Sequence, residues 1–277
     1  MSMIKRIAPL IFALYMPVQV LVAQTDTLPA ENWDTYMAQY EKKAGSVLLN
    51  MSLKQVAPLR QYPYLVVTGV RFKDCPTGGF PSKREFNTLY KISDSVKSIV
   101  DRATPNIITG TFTFQCERLD YFYVKDTSWI RKWLNNMYQQ RFPGYTPYIN
   151  IKADTGWAAY LDFLYPNEET LDYMGNQKVL LALQRAGDKL ERARTVDHWA
   201  YFKTDADRTC FINYALKNKF VITARDTIDD AGHPFSLYFS RTDKIDLPSI
   251  SKITLELRRQ VAKCNGDYSG WETVVVK

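Results

Sequence analysis

The chain has 277 residues, 46% hydrophobic and 23% charged, with a formal net charge of +7. This composition excludes a disordered protein and is long enough for two separate hydrophobic cores. The basic residues are scattered in short doublets such as Lys42-Lys43 and Arg258-Arg259. They do not form the continuous basic stripe expected of a nucleic-acid binder, so no direct nucleic-acid binding is expected and an acidic partner remains open.

Lys5-Arg6 followed by the apolar stretch Ile7 to Ala23 has the layout of a secretory signal peptide, with cleavage after Ala23. Pro9 and Pro17 interrupt the stretch, and it is short for a membrane span. The expectation is an exported protein, periplasmic or secreted, with an uncleaved N-terminal membrane anchor as the alternative. No later segment could span a membrane.

Residues 24–32 read as a flexible leader, and 33–167 as a first domain. Trp33, Tyr36, Met37 and Tyr40 have helical spacing over Trp33 to Lys43. Ser46–Leu53 and Tyr64–Phe72 read as strands. Cys75 to Pro81 is a dense turn signal, and Ser82 with Glu85 makes a capping box for a helix running to about Arg102. Asn106–Cys116 and Leu119–Val124 pair as a hairpin. Ser128 is placed to cap a helix from Trp129 to about Arg141, followed by a strand at Tyr148–Lys152 and a short helix at Gly156–Tyr165. The polar run Pro166 to Thr170 falls between two apolar patterns and is the expected domain boundary.

The second domain, residues 170–277, has a leading helix, Leu171–Ala186, stopped by Gly187. A strand, Val196–Phe202, comes next. Thr204 caps a helix over Asp205–Lys217. Phe220–Thr227 and Phe235–Arg241 form a hairpin. Pro248 opens a helix through Ala262, and Trp271–Val276 is the last strand. The order β-α-β-β-α-β predicts a ferredoxin-like antiparallel sheet with helices on one face. The fold class is therefore α+β in two domains, the first a related α+β sheet domain with an extra strand.

The four cysteines, Cys75, Cys116, Cys210 and Cys264, fall two to each domain. Two readings stand: intradomain disulfides Cys75–Cys116 and Cys210–Cys264, or four buried thiols, which at Cys210 is the better reading because of its core-like helical spacing. CxxC spacing is absent, as are the P-loop, GxGxxG, GxSxG and HExxH motifs, so no metal, cofactor or catalytic residue is expected. Of the two histidines, His198 lies between Asp197 and Trp199 on a strand. Adjacent strand residues point to opposite faces, so Asp197–His198 cannot readily act as a catalytic pair. Arg241 has two readings, an ion pair with Asp197 or Glu272, or an exposed anchor for an acidic partner.

Val179-Leu180-Leu181-Ala182-Leu183 with Gly187-Asp188, Arg194 to Trp199, Phe202 with Asp207-Arg208 and Phe211, Ser240-Arg241-Thr242, and Gly266 to Thr273 carry a wider pattern. Together they resemble the family of regulator of ribonuclease E activity B, over roughly residues 171–277. Residues 33–165 resemble a family of domains of unknown function that can precede it. The resemblance implies an α+β domain that is not an enzyme, whose partner is a protein, an RNA-processing nuclease by family. Trp199 and Trp271 are expected mainly in the core, since large aromatics on strands usually pack, and would mark an interface only if exposed. The expected partner-binding residues are Asp197, His198, Trp199, Arg241, Thr242, Trp271 and Glu272. Ribonuclease E is cytoplasmic, so the leader implies either an envelope partner or, with an uncleaved anchor, a membrane-held inhibitor of ribonuclease E. An uncharacterised enzyme is the third reading.

Overall fold

The computed structural model describes residues 28–277, with the exception of Thr77 and Ala231. The expected signal peptide, residues 1–23, lies outside the described residues, as do residues 24–27 of the expected leader. Among the described residues no helix is long and apolar enough to cross a membrane. The fold is α+β in two domains, each built on an antiparallel sheet.

The first sheet has six strands: β1 (Trp33–Tyr40), β2 (Lys43–Asn50), β3 (Tyr64–Arg71), β4 (Asn106–Phe114), β5 (Glu117–Val124) and β6 (Thr146–Ala153). Their order is β1-β2-β4-β5-β3-β6. Helices α1 (Lys83–Ala103) and α2 (Ile130–Arg141) cross one face. There Val66, Val70, Phe122 and Val124 of the sheet pack against Leu89, Val96, Val100, Ile130 and Leu134. The other face buries Tyr36, Leu49, Leu65, Val67 and Tyr123 against Trp157, Tyr160 and Leu164. β3 is apolar on both sides because it is covered on both.

The expected helix over Trp33 to Lys43 is strand β1 instead. Tyr36 and Tyr40 satisfy a period of two as well as a helical one, and tertiary pairing decides between them. Glu41 and Lys42 both adopt positive φ, at 47° and 64°, and close a two-residue hairpin onto β2. Neither is glycine or asparagine, so the turn carried no ordinary signal. Tyr36 Oη then donates to the Leu164 carbonyl at 2.9 Å, which fastens β1 across the core.

Ser82 caps α1 by accepting from the Glu85 amide. Ser128 does not cap α2. Trp129 occupies that position in the left-handed region, with φ 68°, and makes no side-chain capping bond. The Ser128 hydroxyl and amide donate instead to Asp126.

Residues 166–170 hold the N-cap Asn167 and the first turn of α3 (Glu168–Arg185), where the Thr170 amide donates to Asn167 at 2.8 Å. Met174 of this helix packs in the first domain's core, and Leu180 and Leu183 pack in the second's. Lys178 Nζ also donates to Asp34 of β1 at 2.5 Å. The helix is thus shared between the two cores.

The second sheet contains β7 (Arg194–Phe202), β8 (Val221–Thr227), β9 (Phe235–Asp243) and β10 (Gly266–Glu272), in the antiparallel order β10-β7-β9-β8. Helices α4 (Asp205–Lys217) and α5 (Leu247–Lys263) complete the β-α-β-β-α-β succession. β10 begins at Gly266, five residues before the expected strand, and ends at Glu272. One face of the sheet buries Ala200, Phe202, Leu237, Phe239 and Tyr268 against Phe211, Ala215, Leu257 and Val261 of α4 and α5.

Disulfides join Cys75 to Cys116 in the first domain and Cys210 to Cys264 in the second, with Cα separations of 5.5 and 5.9 Å. The second links α4 to the C-cap of α5, tying together the two helices that cover the sheet.

Candidate functional site

Strand alternation divides the expected binding residues between two faces. Val196, His198, Ala200 and Phe202 of β7 are fully buried under the helices, whereas Asp197, Trp199 and Tyr201 point the other way. His198 therefore does not belong to the surface. Its ring stacks on Phe239 with centroids 5.4 Å apart and meets Phe220 edge-on at 5.7 Å. Nδ1 shares a hydrogen bond with Tyr268 Oη at 2.8 Å. Burial, and secondarily the Arg241 charge, hold the imidazole down at about 3, so it stays neutral.

That environment has a consequence for stability. The unfolded chain takes up a proton at His198 near pH 6.5, while the folded chain resists until about 3. Its contribution is complete above pH 6.5 and declines as pH falls through that window, by about 1.4 kcal/mol per pH unit. Urea unfolding at pH 7 and pH 5 should show the wild-type protein losing roughly 2 kcal/mol more than His198→Gln. Parallel losses in the two proteins would show that His198 protonates freely in the fold.

Trp271 is also on the covered side. It is buried, and its Nε1–H donates to Asn176 Oδ1 of α3 at 2.7 Å. Asn176 in turn donates to Thr254 and Asp172, at 2.8 and 3.0 Å. Trp271 thus fixes α3 to the sheet instead of meeting a partner.

Arg241 lies on the covered side as well. Its guanidinium sits 4.0 Å above the Phe220 ring, Nε donates to Asp243 Oδ2 at 2.9 Å and Nη1 to the Asn218 carbonyl at 3.0 Å. Asp243, not Asp197 or Glu272, is its ionic partner. Three interactions hold it, which leaves little of the fork for an acidic partner.

Four of the seven remain outside: Asp197, Trp199, Thr242 and Glu272. Cross-strand register brings them together. Glu272 lies directly opposite Asp197, and Trp199 lies between Gly270 of β10 and Tyr238 of β9. Gly270 adopts φ 150°, and a Cβ there would stand 3.6 Å from Trp199 Cζ2, so the indole lies across a position bare of side chain. Thr242 is exposed one step beyond this row.

Register adds residues that the sequence reading did not single out. Tyr201 faces Ser236 of β9 and Asp267 of β10, and Asp226 of β8 completes that row. Burial and the neighbouring Tyr238 push the Tyr201 phenol up. The available signal was the i, i+2 continuation from Asp197 and Trp199 to Tyr201. The β9 and β10 residues needed the pairing register. The result is an open sheet face, aromatic at its centre and flanked by carboxylates. Among the described residues no cluster of His, Cys, Asp and Glu could hold a metal ion.

Residues 174–273 match the family described as regulator of ribonuclease activity B. The match covers the shared helix from Met174 onward, all four strands of the second sheet and the open face. Residues 31–165 match a family of unknown function, DUF695. The order of the two matches is the one the residues suggested. The match likens the second domain to a regulator of ribonuclease activity. No curated protein matches the chain. A solved structure described as an unknown protein from Galdieria sulphuraria is 10% identical, over 77% of this chain and 99% of that one, with a TM-score of 0.22.

Proposed function

We propose that this protein is a non-catalytic regulator that acts by binding another protein through the open face of its second sheet, and that it does so outside the cytoplasm. The match of residues 174–273 to a ribonuclease-regulator family carries the regulatory part. The open face supplies a surface, since the opposite face is already occupied by α4 and α5.

Export is supported by the basic-then-apolar layout of residues 1–23 and by the two disulfides, which persist in oxidising compartments and are rare in the cytosol. The partner is then an envelope protein, and ribonuclease E is not its direct target. A membrane-anchored inhibitor of ribonuclease E is the competing reading.

Intact-mass analysis of the protein from its native host separates the two. The expected mass lacks residues 1–23, and all four thiols resist alkylation until reduction. A full-length mass with four alkylated cysteines would overturn export and favour the anchored inhibitor.

A further inference from the structure

We infer that the open face of the second sheet docks a Lys- or Arg-bearing segment of its protein partner. This rests on the proposal that the domain acts by binding a protein, and it names the chemistry of what is bound.

Charge is the first observation. The outward register positions are Thr195, Asp197, Trp199 and Tyr201 on β7, Ser236, Tyr238, Ser240 and Thr242 on β9, Asp267, Gly270 and Glu272 on β10, and Val221, Ala224 and Asp226 on β8. Four of these are carboxylates, and none is Lys or Arg. The whole chain carries a formal charge of +7, so this face has the opposite sign to the protein that bears it. A local field of this kind attracts cationic segments and repels phosphate backbones.

A second observation concerns the pair Asp197 and Glu272. They stand directly opposite each other on adjacent strands, and both are exposed. Like charges in cross-strand pairs destabilise a sheet. A guanidinium or ammonium between them would remove that repulsion and gain two ionic contacts.

The aromatic residues complete the arrangement. Trp199 and Tyr238 are opposed across β7 and β9, with Tyr201 one step along the same strand. Tyr238 is exposed and Trp199 and Tyr201 are partly so; such rings attract cations to their faces, and Trp does so best. The indole lies over Gly270, where no side chain competes for its outer face. A basic segment crossing the strands would therefore meet carboxylates at both ends and rings between them.

The test uses the mature, disulfide-bonded chain and three probes: a short alternating Arg-Gly peptide, a Glu-Gly peptide of equal length and a short single-stranded oligodeoxythymidine. Binding is read by the Trp199 indole N–H resonance and by calorimetry. The Arg-Gly peptide is expected to move that resonance, with affinity falling as salt rises. The Asp197→Lys/Glu272→Lys double variant should weaken binding about tenfold or more. Glu256→Lys, on the exposed side of α5, should stay within about twofold of wild type.

The milder Asp197→Asn/Glu272→Gln variant removes the charge without reversing it and should lose affinity in the same direction. Trp199→Ala should weaken binding of the Arg-Gly peptide with its salt dependence retained. No binding of the Arg-Gly peptide, equal losses in the Glu256→Lys control, or a Trp199 shift produced by the oligonucleotide or the acidic peptide would overturn the inference. Any of these results from a mature, fully disulfide-bonded protein would leave the exported-regulator reading standing, because that reading is judged by mass and thiol state.

Discussion

Replacing Trp157 with alanine is expected to destabilise the first domain by about 3–5 kcal/mol, the range for deleting a large, fully buried aromatic side chain. Trp157 has no exposed surface. Its ring stacks nearly parallel on Tyr123, with centroids 4.1 Å apart and 10° between planes, and meets Tyr160 edge-on at 6.2 Å. Its Nε1–H donates to the Tyr62 carbonyl at 3.1 Å, so truncation also strands a polar group.

The neighbourhood cannot easily collapse into the gap. Asp154 accepts from the Tyr123 hydroxyl at 2.6 Å and from the Ala158 and Ala159 amides at 3.0 Å each. Burial works to raise the Asp154 carboxyl, but the Tyr123 hydroxyl and these amides hold it below its ordinary value. Trp157→Phe keeps a stacking ring and should lose roughly half as much. Urea unfolding followed by near-ultraviolet circular dichroism checks both. A Trp157→Ala protein within 1 kcal/mol of wild type, about the cost of an average substitution, would show that the segment is not docked in solution.

The second large effect belongs to Arg194. Its guanidinium is buried and holds Asp188 through both nitrogens, Nη1 to Oδ2 and Nη2 to Oδ1, the latter at 3.0 Å. Nη1 also donates to the Val274 carbonyl at 3.1 Å. Asp188 accepts from the Val276 and Leu190 amides, at 2.7 and 2.8 Å. The pair therefore pins the chain after β10 against the turn after α3. Arg194→Leu would leave a buried carboxylate without its counter-charge and should cost about 3–5 kcal/mol.

The pH dependence has a definite sign. The Arg194 hydrogen bond, opposed by burial and helped by the two amides, holds the Asp188 carboxyl well below the usual carboxylate range. Its folded value lies below its unfolded one, so its contribution is complete above about pH 4 and is lost as pH falls below that. The gap between wild type and Arg194→Leu should narrow over that acid range. Adding Asp188→Leu to Arg194→Leu should recover part of the loss, since no charge then remains buried. If the double variant were no more stable than the single one, the ion pair would not be the cause.

Local patterns identified most of the second domain. Thr204 caps α4 by accepting the Asp207 amide, Pro248 sits in the first turn of α5, and the alternation of β7 is regular from Arg194 to Phe202. These features depend on near neighbours, which a sequence displays directly. The first domain was harder to read at its start, because Trp33 to Tyr40 fits two periods and its hairpin turn uses Glu41 and Lys42.

The binding face divides in the same way. The alternation of β7 puts Asp197 and Trp199 on one side and His198 on the other. Choosing which residues of β9 and β10 join them required the cross-strand register, which a bulge between Tyr268 and Gly270 shifts by one residue. Trp271 faces the covered side, as its expected core role requires, because the bulge puts it opposite His198.

The sequence by itself determined the α+β class, the two-domain order, the β-α-β-β-α-β succession and the resemblance of the second half to a ribonuclease regulator. Each rests on periodicity, capping or a run of adjacent residues. Only the tertiary structure decided that His198, Arg241 and Trp271 face the helices, that α3 serves both cores, and that four carboxylates surround three aromatic rings on one open face. Those outcomes depend on pairing between strands distant in the chain, and a one-residue slip in such pairing moves every side chain to the opposite face.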